Sequence, residues 1–245
     1  MTKAEQARCY LERNSFRAIS PEAVLFDMDG VLYDSMPNHV IAWHDSMAQF
    51  GINMTEYDAY ATEGARGIDT IRDMVKAQQN RDITQKEAQE MYDVKSRLFH
   101  EMPEPPIMPG IPELMEKIHR SGLSINVVTG SGQRPLIQRL LRDFGNYLDE
   151  SHITTAYDVR RGKPHADPYL MGLQKAGGLN PWQAIVVENA PLGVQAGAAA
   201  RIFTIGVKTG PLSLRTLTEA GADTTFKNML SLSKNWYLFL RQITS

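Results

Sequence analysis

Four short, nearly continuous apolar runs, each kept apart from the next by segments of helical spacing, constrain this chain more than anything else in it. They lie at residues 23–26, 125–129, 184–187 and 202–206. A run this short, apolar on both faces, reads as a strand buried in a parallel sheet, because only a sheet covered on both sides dispenses with polar alternation. Helical periodicity marks residues 111–120, 135–144, 168–176 and 191–200, with proline in opening turns where the missing N–H costs nothing. Alternating strands and helices predict an α/β fold built on a doubly wound parallel sheet. With 42% hydrophobic and 22% charged residues, the chain has the apolar matter for such a core and no compositional case for disorder.

Residues 38–101 break the pattern, reading as polar amphipathic helices without a β-branched run. Four prolines within residues 102–110 close this stretch. The predicted organisation is an α/β core of residues 1–36 and 104–245, interrupted by a small helical cap of residues 37–103. Two crossings, at 33–37 and 103–109, join them and form a candidate hinge. Trp43 and Phe50, at helical spacing, are expected in the core of the insert. Residues 1–20 read as an appended helical segment, with Ala7, Leu11 and Phe16 its apolar positions.

Lys+Arg 26 against Asp+Glu 28 leaves a net charge of −2, so no global field draws the chain to nucleic acid or an anionic membrane. Any anion must be caught locally. The single cysteine excludes an internal disulfide, and no Cys/His spacing fits zinc, which together accord with a cytoplasmic setting. No apolar run approaches the ~18 residues of a membrane span, and no secretory leader is expected from the charged first twenty residues.

The chemistry is concentrated where the strands end. Asp27-Met28-Asp29-Gly30 follows the first run, so two carboxylates leave the sheet at the edge where open α/β sheets bind ligands, and Gly30 lets the chain turn. Thr129-Gly130-Ser131-Gly132 follows the second run, offering a hydroxyl and closely approachable amides to an anion. Gly162-Lys163-Pro164 precedes a helix, and Glu188-Asn189-Ala190-Pro191 ends the third run.

These four motifs, in this order, resemble the haloacid dehalogenase superfamily and its β-phosphoglucomutase-like subgroup, over roughly residues 21–232. The resemblance implies that Asp27 attacks phosphorus and that Asp29 serves as general acid and base, with neighbouring negative charge helping to hold its proton. It implies that Thr129, Gly130 and Ser131 bind the phosphoryl group and that Lys163 offsets repulsion between that group and Asp27. It further implies magnesium held by Asp27, the main-chain carbonyl of Asp29, Glu188 and Asn189.

Two departures matter. The subgroup usually has Glu-Asp where this chain has Glu188-Asn189, which removes one negative charge from the metal site. In the insert, Thr62-Glu63-Gly64-Ala65-Arg66-Gly67 stands where the sugar-phosphate mutases carry a Val-Ser-Arg type segment. Glu63 is therefore expected to reach the metal or its waters when the cap closes, restoring the lost carboxylate, while Arg66 and the hinge residue His39 are candidate substrate contacts.

Glu63, the Thr129–Gln133 stretch and Glu188-Asn189 together look most like the inorganic-pyrophosphatase-type branch. The expected activity is magnesium-dependent hydrolysis of pyrophosphate or another small phosphate compound through an aspartyl phosphate. The expected protein is a monomer meeting a small phosphorylated substrate, with neither nucleic acid nor membrane. A β-phosphoglucomutase and a non-catalytic phosphate- or metal-binding protein are the alternatives.

Overall fold

The computed structural model describes residues 1–132 and 134–244. Its six strands are β1 (Ala23–Phe26), β2 (Ser124–Val128), β3 (Ile153–Thr154), β4 (Ala184–Glu188), β5 (Phe203–Val207) and β6 (Thr224–Phe226). All pair in parallel in one sheet of order β3-β2-β1-β4-β5-β6. The order turns back at β1, which lies between β2 and β4 with Phe26 in register with Val127 and Val187. The residue after Phe26 thus emerges at the crevice where such sheets bind ligands.

The helices are α1 (Lys3–Asn14), α2 (Met36–Ala48), α3 (Glu56–Ala61), α4 (Gly67–Gln79), α5 (Gln85–Glu101), α6 (Ile111–Arg120), α7 (Arg134–Phe144), α8 (Asp167–Lys175), α9 (Pro191–Ala199), α10 (Leu214–Glu219) and α11 (Met229–Ile243). Alternate residues of β1 face opposite sides of the sheet. Val24 and Phe26 join the apolar cluster that includes Ile111, Leu114 and Trp236, whereas Ala23 and Leu25 pack with Tyr169, Leu173 and Ala196. Double coverage is why the strand has no polar position.

Helices α2 to α5, between β1 and α6, carry an apolar cluster of their own around Trp43, Met47, Ile71, Val75 and Met91. Phe50, expected beside Trp43, is instead 36% exposed, because it lies in the turn after α2. The N-terminal segment also differs from expectation. Tyr10, in α1, is fully buried against Phe203, and its hydroxyl donates to the main-chain oxygen of Arg201 at 2.9 Å. The segment is packed into the core rather than laid over it. Among the described residues no helix is long and apolar enough to cross a membrane.

Candidate active site

At the end of β1 the amide of Asp27 still donates to Val187, at 3.0 Å, so the ladder holds the first carboxylate in place. The chain then turns at Gly30, whose φ of +75° favours glycine. A Cβ there would stand 2.2 Å from Nδ2 of Asn189, so glycine is also what lets the β1 and β4 loops meet.

Lys163, from the loop before α8, reaches into this junction. Its Nζ donates to Oδ1 of Asp27 at 2.5 Å and to Oε1 of Glu188 at 2.7 Å, with all three side chains buried. Burial works against the ammonium charge, but Asp27 and Glu188 overcome it and hold Lys163 protonated. Burial raises Asp27 to about 7, Lys163 opposing the shift while Glu188 and Asp29 add to it.

The two residues expected to bind metal from β4 are not equivalent. Oε1 of Glu188 accepts from Lys163 and from the Tyr169 hydroxyl, the latter at 2.7 Å, and its Oε2 accepts from the amides of Asn189 and Ala190 at 3.1 and 3.4 Å. Both oxygens accept hydrogen bonds, and through Oε1 Glu188 positions Lys163. Oδ2 of Asp27 and Oδ1 of Asn189, by contrast, are buried without a hydrogen-bond partner. Two orphaned buried oxygens demand a cation or water. Among the described residues no three His, Cys, Asp or Glu side chains could hold a metal by themselves. A carboxylate, an amide oxygen, a main-chain carbonyl and waters are nonetheless a donor set that fits magnesium.

Asp29 is held differently. Its Oδ1 accepts from the Ser35 hydroxyl at 2.6 Å and lies 3.2 Å from Nε2 of His39. Nδ1 of His39 is 2.7 Å from Nζ of Lys95, and the ring stacks on Phe99 with centroids 4.2 Å apart. Burial pushes Asp29 up, but His39, Ser35 and Lys95 outweigh it and bring the group to about 2. This shift runs against the proton expected on Asp29, whereas burial, Asp29 and Asp27 push Glu63 well above the ordinary carboxylate range. Lys95 falls to about 8 through burial, with Asp29 and Glu63 resisting.

Asp27, Asp29, His39, Glu63, Gly130 and Ser131 share one cavity of about 70 Å³, with Lys95 also in its wall. Thr129 is placed behind it, its Oγ1 accepting from the amide of Ser131 at 3.0 Å, which shapes the turn. Arg66 lies outside this cavity and lines a smaller one with Thr129, Gly130 and Lys163. Its guanidinium is exposed and pairs with Asp69 at 2.7 Å and with the carbonyl of Arg160 at 3.3 Å, because the short turn before α4 points it outward. Gln133 lies outside the described residues. Lys95, Ser35 and Tyr169 were not singled out from sequence. A lysine in an amphipathic helix carries no local signal, and only the fold brings it beside His39.

A family model described as haloacid dehalogenase-like hydrolase matches residues 24–207. Hexitol phosphatase A of Escherichia coli is 33% identical over 75% of this chain and 81% of its own length. The phosphorylated carbohydrates phosphatase of Thermotoga maritima is 29% identical over 82% of this chain and 92% of its own. A solved structure from Bacteroides vulgatus, provisionally described as a β-phosphoglucomutase, superposes with a TM-score of 0.94 at 42% identity, covering 99% of this chain and 98% of that one.

Proposed function

The chain belongs to the haloacid dehalogenase-like hydrolases, and from that membership we propose a magnesium-dependent phosphohydrolase whose substrate is inorganic pyrophosphate or a similarly compact phosphate compound. One observation carries this reading. The cavity holding the catalytic candidates offers about 70 Å³ and is lined by Asp27, Asp29, Glu63 and Lys95 together with Trp43, Tyr92 and Phe99. Drug-sized ligands take roughly 300–1,000 Å³ of mostly apolar space. So small a space, with three carboxylates in its wall, suits a phosphoanhydride better than a sugar phosphate.

In this reading Asp27 attacks phosphorus, forming the aspartyl–phosphorus bond as the bond to the leaving phosphate breaks. Lys163 keeps the carboxylate aimed and offsets charge at the phosphoryl oxygens, while Gly130 and Ser131 present the turn after β2. A leaving phosphate is already stable as an anion near neutral pH. An Asp29 held at about 2 therefore need not protonate it. In the second half water bonds to phosphorus as the aspartyl–phosphorus bond breaks and restores Asp27, the water's proton passing through Asp29 to the departing phosphate.

Asp27, Asn189 and the Asp29 carbonyl would hold magnesium, with Glu63 completing the set from the helical segment, which acts as the cap over residues 37–103. When bound, the ion supplies charge neutralisation and Lewis acidity at the phosphoryl oxygens. The proposed setting is a cytoplasmic monomer acting on a small diffusible substrate.

A second reading, hydrolysis or mutation of sugar or polyol phosphates, is favoured by what the relatives are called and by the His39–Lys95 pair at the hinge. The test is magnesium-dependent phosphate release from pyrophosphate, β-glucose 1-phosphate, hexitol phosphates and small phosphomonoesters, with Asp27→Asn as blank. Pyrophosphate should exceed every ester more than tenfold in kcat/KM, a difference of more than ~1.4 kcal/mol at the transition state. Esters in the lead would transfer the assignment to the second reading. Absence of turnover with all of them would leave a binding protein.

A further inference from the structure

Away from the catalytic groups, α3 meets the core at Gly210. The ring of Tyr60, three residues before Glu63, lies flat enough on Gly210 that a Cβ at that glycine would stand 2.2 Å from Cε1, 2.7 Å from Cδ1 and 2.9 Å from Cζ. Gly210 follows β5 in the loop leading to α10, far along the chain from every catalytic candidate. Around the same ring, Tyr60, Leu212 and Met36 form a small buried apolar cluster that joins the helical segment, the core and the start of α2. The two larger clusters of the core and the cluster of the helical segment each stay on their own side of the seam.

We infer that Tyr60 and the Gly210–Leu212 loop form a latch that seats the cap at one depth, and thereby holds Glu63 in the cavity and limits which leaving groups fit. Tyr60 is a positioning residue in this scheme. Among the described residues its hydroxyl has no hydrogen-bond partner, so the latch works through the ring. On the glycine side the ring meets main chain, so any side chain at position 210 would have to push the Tyr60 ring away. The conformation of Gly210 does not need glycine, since its φ is not in the left-handed region, so the absence of a side chain there serves the contact.

The latch bears on selectivity only if the compact-substrate reading above holds, so its test has two arms. Gly210→Ala places a methyl against the ring without altering any group in the cavity. Hydrogen–deuterium exchange should rise in residues 56–66 of this variant and remain as in the wild type within the sheet. Its kcat/KM ratio for pyrophosphate over a small phosphomonoester should fall at least tenfold, and Tyr60→Phe should keep both properties. Unchanged exchange in residues 56–66 overturns the latch whatever the substrate. Raised exchange in a protein whose wild type shows no preference for pyrophosphate upholds the latch and removes only the substrate reading. Should Gly210→Ala fail to fold, Tyr60→Ala, which removes the ring without a clash, must give the same two changes, and wild-type behaviour in it overturns the proposal.

Discussion

Nζ of Lys95 stands 2.7 Å from Nδ1 of His39, so a protonated Lys95 makes that ring nitrogen the acceptor and turns the proton of a neutral imidazole toward Asp29. Burial and Lys95 keep His39 neutral, with Asp29 pulling the other way. One ammonium thereby sets the tautomer of a ring that touches the acid–base candidate.

Lys95→Met should lower kcat by roughly 10- to 100-fold, as loss of an orienting partner does elsewhere. Lys95 titrates at about 8, so its charged form is present below that value and lost above it. The wild-type kcat profile should fall above about pH 8, and the variant should lack that limb. A limb of unchanged position in Lys95→Met would assign it to another group.

Glu63 carries a cost that depends on pH. Its carboxyl is raised in the folded state, so the stability that protonation preserves is complete below the ordinary carboxylate value and declines as pH climbs toward the raised one. In metal-free buffer at pH 8, Glu63→Gln should therefore raise Tm by roughly 2–4 °C, the shift that ~1 kcal/mol gives in a protein of this size. At pH 4.5 the two proteins should melt more nearly together. Magnesium should stabilise the wild type more than the variant, a difference that calorimetry with and without the ion would register.

Asp27→Asn should abolish turnover by roughly 10⁴-fold or more, since no other carboxylate sits at the end of β1 in the right place to attack. The variant should still fold, because the amide oxygen can accept from Lys163 and burial favours a neutral group. Circular dichroism and phosphate release on the same sample would separate the two effects.

Tyr10→Ala should cost roughly 3–5 kcal/mol, the range for deleting a fully buried aromatic ring, and should be measurable by urea unfolding. Wild-type stability in this variant would return residues 1–14 to the status of a loose addition.

The parallel sheet was legible because 23–26, 125–129, 184–187 and 202–206 are buried on both faces, which leaves nearly continuous apolar strings interrupted only by polar residues such as Asn126 and Thr204. β3 and β6 were not, since Ile153–Thr154 and Thr224–Phe226 are too short for any period to register. Tyr10 escaped notice because a tyrosine in a charged helix reads as surface, and its burial comes from Phe203 and Arg201, distant in sequence. In the site, the strand-end motifs located Asp27, Asp29 and Asn189, and the loop motif before α8 located Lys163. The outward turn of Arg66 and the hydrogen bonding of Glu188 depend on neighbours supplied by Asp69, Tyr169 and the amides after β4.

β6 is one border of the sheet, and a border strand offers its unpaired main chain to any other strand that comes near. Here α1 intercepts it: Lys3 reaches the Thr224 hydroxyl and the carbonyl of Thr225, Gln6 accepts from that same hydroxyl at 2.7 Å, and Arg13 pairs with Asp223 at 2.6 Å. A version of the protein trimmed past residue 15 should thus lose solubility as well as stability, self-associating through the uncovered border, with light scattering that grows with concentration. The first helix acts as a guard against aggregation.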